Sequence, residues 1–74
     1  MSTEPRVVVV REVPIDLCQF IKFGGLTESG GEAQMLISVG EVTLNGAVET
    51  RKRKKLFVGD QVTLHGQTLV VKLP

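Results

Sequence analysis

Five consecutive cations, Arg51, Lys52, Arg53, Lys54 and Lys55, are the residues of this chain whose type and spacing most plainly specify a chemistry. Guanidinium and ammonium groups at this density neutralise a row of phosphates and release the counterions condensed on them. The net charge of the chain is only +1, because the run supplies five of nine basic residues and leaves four against eight acidic ones elsewhere. A strongly positive segment on a mildly acidic body turns one patch toward a polyanion. In a regular strand the run alternates, with Arg51, Arg53 and Lys55 on one face and Lys52 and Lys54 on the other. A looped conformation instead brings about four of them to one row of phosphates, and a fourfold rise in salt then weakens binding about a hundredfold. Two other readings compete: a solvated loop kept positive for solubility, and a nuclear import signal, which needs a eukaryotic source.

Other residues make narrower claims. Ser29 and Glu32 have the spacing of a helix capping box, and Gly30 and Gly31 leave the backbone N–H groups of that helix start sterically open to a phosphate. Lys22, near the end of an earlier helix, favourably meets the helix dipole. Gln34 lies on the polar side of the second helix, where it is a solvated side chain or a donor to a base edge or 2′-hydroxyl. Asn45 precedes a glycine and reads as a turn former. Cys18, among apolar helix positions, reads as a small buried hydrophobe. His65 has no carboxylate or thiol at ligand or triad spacing, so a structural duty is expected. Phe20 reads as core, and Phe57 is expected to pack inward with Leu56 and Val58 rather than stack on a flipped base. With no Trp or Tyr the chain lacks the stacking platform of single-strand binders. No nucleophile, base and orienting group are marked, and no phosphate-loop or dinucleotide fingerprint appears, so an enzyme is not expected.

The elements that must position these residues follow from pattern. The 74 residues suffice for one domain, with a core drawn from Leu17, Phe20, Ile21, Leu36, Ile37, Val42, Leu44, Val62, Leu64 and Leu69. Four consecutive valines make Arg6 to Glu12 a first strand. Leu17, Phe20 and Ile21 recur at helical spacing, giving a helix that opens near Pro14 and Asp16, reaches Phe23 and stops at Gly24-Gly25. A second helix begins at Ser29, carries Ala33, Leu36 and Ile37 on one face and ends at Gly40. The period then changes to two. Val42 and Leu44 lead into an Asn45-Gly46 hairpin, Val58-Gly59-Asp60 marks a turn, and strands Gln61 to His65 and Thr68 to Lys72 flank Gly66-Gln67. The predicted class is α+β, two short helices on a small, mainly antiparallel sheet, in the order β-α-α-β-β-β. One cysteine and one histidine offer neither an internal disulfide nor an ordinary zinc site. The longest apolar run, Val7 to Val10, is far too short for a membrane helix, and no secretory leader precedes it, so a cytoplasmic location is expected.

Leu17 and Phe20-Ile21, then Ser29, Ala33, Leu36-Ile37, Gly40, Val42, Leu44-Asn45-Gly46, Val58-Gly59-Asp60 and Val62 resemble the S-four RNA-binding domain, or αL motif. That domain is named for a ribosomal small-subunit protein, and similar copies are attached to pseudouridine synthases and tyrosyl-tRNA synthetases. The resemblance covers roughly residues 15–65, within a single domain of 1–74, and its most specific piece is Gly-x-Val-x-x-Asn-Gly from Gly40 to Gly46 with Gly59-Asp60 beyond. It is strongest toward short stand-alone bacterial members of the YbcJ kind, which similarly carry Gly-Ala-Val-Glu-Thr-Arg-Lys-Arg, here Gly46 to Arg53, and an added N-terminal strand.

The resemblance implies a monomeric, non-catalytic, ribosome-associated module that needs no cofactor and reads structured RNA of the rRNA or tRNA type through phosphates, one of them at the first-helix edge that carries Lys22. One departure stands out: Gly30-Gly31 replaces the basic residue that many members carry after the capping serine, and a backbone nest of Ser29, Gly30 and Gly31 is the physical substitute. Two other classes remain. The same basic surface could dock an acidic protein partner. A ubiquitin-like sulfur carrier would need a Gly-Gly terminus, whereas the chain given ends Lys72-Leu73-Pro74.

Overall fold

Alternation of apolar with polar residues after position 40 becomes, in the computed structural model, a sheet with one buried face; residues 5–74 are described. Strands β3 (Val42–Leu44), β6 (Gln61–Leu64) and β7 (Gln67–Lys72) run antiparallel at its centre. Their register sets Val42 opposite Leu64 and Leu44 opposite Val62, and Val62 opposite Leu69, so the inward side chains of neighbouring strands meet. The intervening positions carry Thr43, Thr63 and Thr68 on the other face, where the Thr63 and Thr68 hydroxyls are 2.8 Å apart. Strand β4 (Ala47–Val48) forms one edge, and β1 (Arg6–Val9) pairs in parallel with β7 at the other, Val8 lying opposite Val71. β1 is shorter than the expected Arg6–Glu12. Val10 N–H still donates to the Lys72 carbonyl at 2.8 Å, and the chain bends away at Arg11.

Helix α1 (Leu17–Phe23) buries Leu17, Phe20 and Ile21, and α2 (Gly30–Ser38) buries Ala33 and Ile37. The two pack on each other and share one hydrophobic core with the inward residues of the sheet. Every residue of the predicted core is buried except Leu36, which is partly buried against that core. Both helices end in the same way. At α1, Leu26 N–H reaches the Ile21 carbonyl and Gly25 N–H that of Lys22; at α2, Glu41 reaches Leu36 and Gly40 reaches Ile37. This paired closure places a glycine in the left-handed region, Gly25 at φ 79° and Gly40 at φ 82°. Neither helix is long and apolar enough to cross a membrane.

The hairpins obey the same backbone rule. Asn45 (φ 51°) and Gly46 (φ 87°) take the two positive torsions of a two-residue turn between β3 and β4. Between β6 and β7 the turn is His65-Gly66, one residue earlier than the predicted Gly66-Gln67, with His65 at φ 50° and Gly66 at φ 80°. The register explains the shift: Leu64 pairs with Gln67, which leaves His65 and Gly66 as the central residues and puts glycine second, as in Asn45-Gly46. His65 is not without a carboxylate either, since Glu41 Oε2 lies 3.7 Å from its Nε2.

A feature absent from the predicted order is a second, two-stranded sheet of β2 (Ile15–Asp16) and β5 (Lys55–Leu56), in which Ile15 faces Leu56 and Asp16 faces Lys55. It fastens the end of the basic run to the start of α1.

Candidate nucleic-acid interface

The basic run is neither a strand nor a free loop. Lys54 N–H closes a tight turn onto the Arg51 carbonyl at 3.1 Å, and only Lys55 enters β5. The turn is then lashed to the start of α1, whose first N–H groups have no partner within the helix. Leu17 N–H donates to the Lys54 carbonyl at 2.9 Å, and Cys18 N–H to the Lys52 carbonyl at 3.0 Å. Asp16, the residue preceding α1, makes no side-chain cap. Its carboxylate instead takes the Lys55 ammonium at 2.5 Å, directly across the β2–β5 pair. The carbonyls of Lys52 and Lys54 therefore face the helix, while the side chains of Lys52 and Arg53 are exposed and that of Lys54 is half-buried.

The five cations are not equivalent. Arg51 is held by Glu49 in a forked pair, Nε to Oε2 at 2.9 Å and one terminal nitrogen to Oε1 at 3.1 Å, with its backbone N–H on Oε2 at 3.1 Å as well. The Glu49 side chain is only 12% exposed. The hydrogen bonds from Arg51, side chain first and then backbone, lower the pKa of Glu49 from 4.5 to about 2. The same carboxylate raises the pKa of Arg51. Lys55 is spoken for by Asp16. Among the described residues no carboxylate pairs with Lys52, Arg53 or Lys54, so these three carry the uncompensated charge.

Lys52 joins the run to the second helix. Its ammonium reaches Gln34 Oε1 at 3.4 Å, and Gln34 lies one turn along from Gly30, on the same face of α2. Lys52 thus lies beside α2, about one turn from its start. Ser29 caps α2 as predicted, its Oγ accepting from Glu32 N–H at 3.2 Å, and a side chain at Gly30 would meet nothing within 4 Å. The other half of the capping box is displaced by one residue: Glu32 Oε1 accepts from Glu28 N–H at 3.1 Å. This folds a carboxylate over the first turn, where the helix dipole favours it and where it competes with any phosphate. Lys22 is exposed but lies at the opposite end of α1 from the basic turn, roughly 7.5 Å along the axis from Leu17.

Asn45 keeps its expected turn, whereas Cys18 and Phe57 stand differently from their expected roles. Asn45 forms its turn and also bridges elements: its Oδ1 accepts from Gln61 N–H at 2.9 Å and its Nδ2 donates to Asp60 Oδ1 at 3.2 Å. Asp60 in turn accepts from Phe57 N–H at 2.8 Å. Cys18 is partly buried against the core. Phe57 was expected to pack inward and does not: it is 53% exposed, and with Arg51, Arg53, Lys54 and Lys55 it lines a shallow groove. In β5 the fully buried residue is Leu56; Lys55 before it and Phe57 and Val58 after it are all exposed, so Val58 does not pack inward either. A run of three apolar residues could not disclose which one faced the core.

Comparison with known proteins gives four likenesses. A family model described as the S4 domain matches residues 8–72. YbcJ of Escherichia coli (strain K12) is 42% identical over 57 residues, 77% of this chain and 81% of that protein. The solution structure of YbcJ from E. coli, described as revealing an αL motif involved in RNA binding, matches with a TM-score of 0.66 at 34% identity, over 96% of this chain and 89% of that one. RlbA of Bacillus subtilis (strain 168), named as a probable ribosome maturation protein, is 40% identical over 52 residues, 70% of this chain and 73% of that protein.

Proposed function

The chain belongs to the S4 domain family, and from that premise we propose that it is a non-catalytic RNA-binding protein that grips structured RNA, of the ribosomal or transfer type, mainly through phosphates. The observation that carries this reading is the turn at Arg51–Lys54. Two of its carbonyls, those of Lys52 and Lys54, accept from the first N–H groups of α1, and three of its cations have no carboxylate partner among the described residues. The backbone of such a turn is held in place before RNA arrives, so little loop ordering is left to pay for on binding. Phosphate contacts made this way set register and orientation without reading sequence.

Within the surface Lys52, Arg53 and Lys54 carry the affinity. Gln34 lies beside Lys52, and its amide is placed to meet a 2′-hydroxyl or a base edge. The start of α2, with Ser29, Gly30 and Gly31, supplies a secondary backbone contact, weakened by the Glu32 carboxylate. Arg51 and Lys55 act chiefly as anchors, and Lys22 touches only RNA that extends past the far end of α1. The name of one relative, a probable ribosome maturation protein, supports ribosomal RNA over transfer RNA as the ligand, and a cytoplasmic setting is part of the same reading. One copy of the chain supplies the whole surface.

The test is RNA binding by the purified protein and by its Arg53→Glu/Lys54→Glu variant, followed by fluorescence anisotropy with a labelled ribosomal RNA helix. Both positions lie outside the core, so circular dichroism and melting temperature should be unchanged. Affinity should fall on the order of tenfold or more. Unchanged affinity in a folded variant would reassign the basic surface to an acidic protein partner.

A further inference from the structure

Phe57 stays half in water although the residue before it, Leu56, is fully buried. The half-exposed ring lines a groove together with Arg51, Arg53, Lys54 and Lys55, so its open part lies among cations. Its backbone is also fixed on both sides. Phe57 N–H donates to Asp60 Oδ2 at 2.8 Å, and its carbonyl accepts from Asp60 N–H at 3.0 Å. Asp60 is itself held by Asn45, and Leu56 is clamped in the β2–β5 pair. The ring therefore has a rigid mount, which lowers the entropy lost when a flat ligand lies against it.

A flat, π-rich group carrying an adjacent anion is the ligand such a groove fits, and within RNA that is a nucleotide. A base inside a continuous helix has no free face to offer, whereas a bulged or looped base can be splayed out and stacked on an aromatic side chain. We propose that Phe57 is the stacking platform for one unpaired nucleobase whose flanking phosphate is held by Arg53 and Lys54, so that the preferred RNA is a helix interrupted by a bulge or loop. This rests on the RNA-binding reading above and narrows its ligand from any phosphate backbone to one with an extruded base.

Two RNA hairpins with an identical stem, one perfectly paired and one carrying a single-nucleotide bulge, test it. The wild-type protein should bind the bulged hairpin about tenfold more tightly, and the Phe57 ring protons should shift upfield in its NMR spectrum with that RNA alone. Phe57→Leu keeps the apolar bulk and removes the π face; because the side chain is exposed, its melting temperature should match the wild type. The variant should bind both hairpins with the affinity the wild type shows for the paired one. Equal wild-type affinity for the two hairpins, or a bulge preference that survives in Phe57→Leu, would overturn the stacking site while leaving phosphate binding intact. Binding of neither hairpin by the wild type would overturn the RNA reading and the stacking site together.

Discussion

Gly24 and Gly25 look interchangeable in the sequence, both ending a helix, yet the fold uses them for different reasons. Gly25 supplies the left-handed torsion, and open space surrounds it. Gly24 has an ordinary φ of −77°, but a Cβ there would lie 2.4 Å from Leu69 Cδ1, a core side chain with 1% of its surface exposed. Its role is a close approach of backbone to core. Gly24→Ala should therefore cost about 1–3 kcal/mol through overpacking, and for a chain of this size each kcal/mol lowers the melting temperature by roughly 4–8 °C. The clash identifies its own remedy. In a Gly24→Ala/Leu69→Val double variant, thermal unfolding should show less destabilisation than the two single losses added together, because the smaller side chain makes room for the new methyl. Strict additivity would show that Leu69 is not what Gly24 accommodates.

At the scale of elements, what the sequence disclosed was whatever a local rule could encode. Both helices, the Ser29 cap, the Gly40 stop and the Asn45-Gly46 turn follow from residues within about one helical turn or hairpin of each other, and so does the match of Leu44-Asn45-Gly46 and Gly59-Asp60 to the S4 family. The β2–β5 pair was hidden because each strand is two residues long and their partners are 39 and 41 positions apart, so neither periodicity nor turn chemistry marks them. The outward Phe57 and the inward carbonyls of Lys52 and Lys54 both depend on that pair and were hidden with it. The His65-Gly66 turn was missed by one residue, since glycine fits either central position and only the pairing of Leu64 with Gln67 decides. The anchoring of the basic turn has a consequence that pH can read. The pKa of Glu49 is depressed, from 4.5 unfolded to about 2 folded. Its ionised form thus contributes stability that is fully present above about pH 4.5 and is lost as pH falls toward 2. Melting temperatures of the wild type and Glu49→Gln should differ at neutral pH and converge across that window. A gap independent of pH would show that the Glu49 carboxylate charge does not hold the turn.

For the molecule as a whole, the question is how many of its five clustered cations an RNA can use, and salt dependence counts them. For a duplex each phosphate contact contributes roughly 0.9 to the slope of log affinity against log salt. If Lys52, Arg53 and Lys54 make the contacts while Glu49 and Asp16 retain Arg51 and Lys55, the slope is about −2.7, and a fourfold rise in salt weakens binding about fortyfold. Engagement of all five gives a slope of about −4.5 and a loss of about five-hundredfold over the same range. The cation of each pair is exposed while its carboxylate is largely covered, so a phosphate reaches the cation but must compete with a partner already in place. Arg51 is the better restrained of the two, by two side-chain bonds and one backbone bond to a single carboxylate. Glu49→Gln should release it, raising affinity at low salt and steepening the slope by roughly 0.9, readable by anisotropy titration of one RNA helix at several salt concentrations. A slope near −4.5 in the wild type, unchanged by Glu49→Gln, would mean that the carboxylates yield to phosphate on contact and that the distribution of charge seen in the free protein does not survive binding.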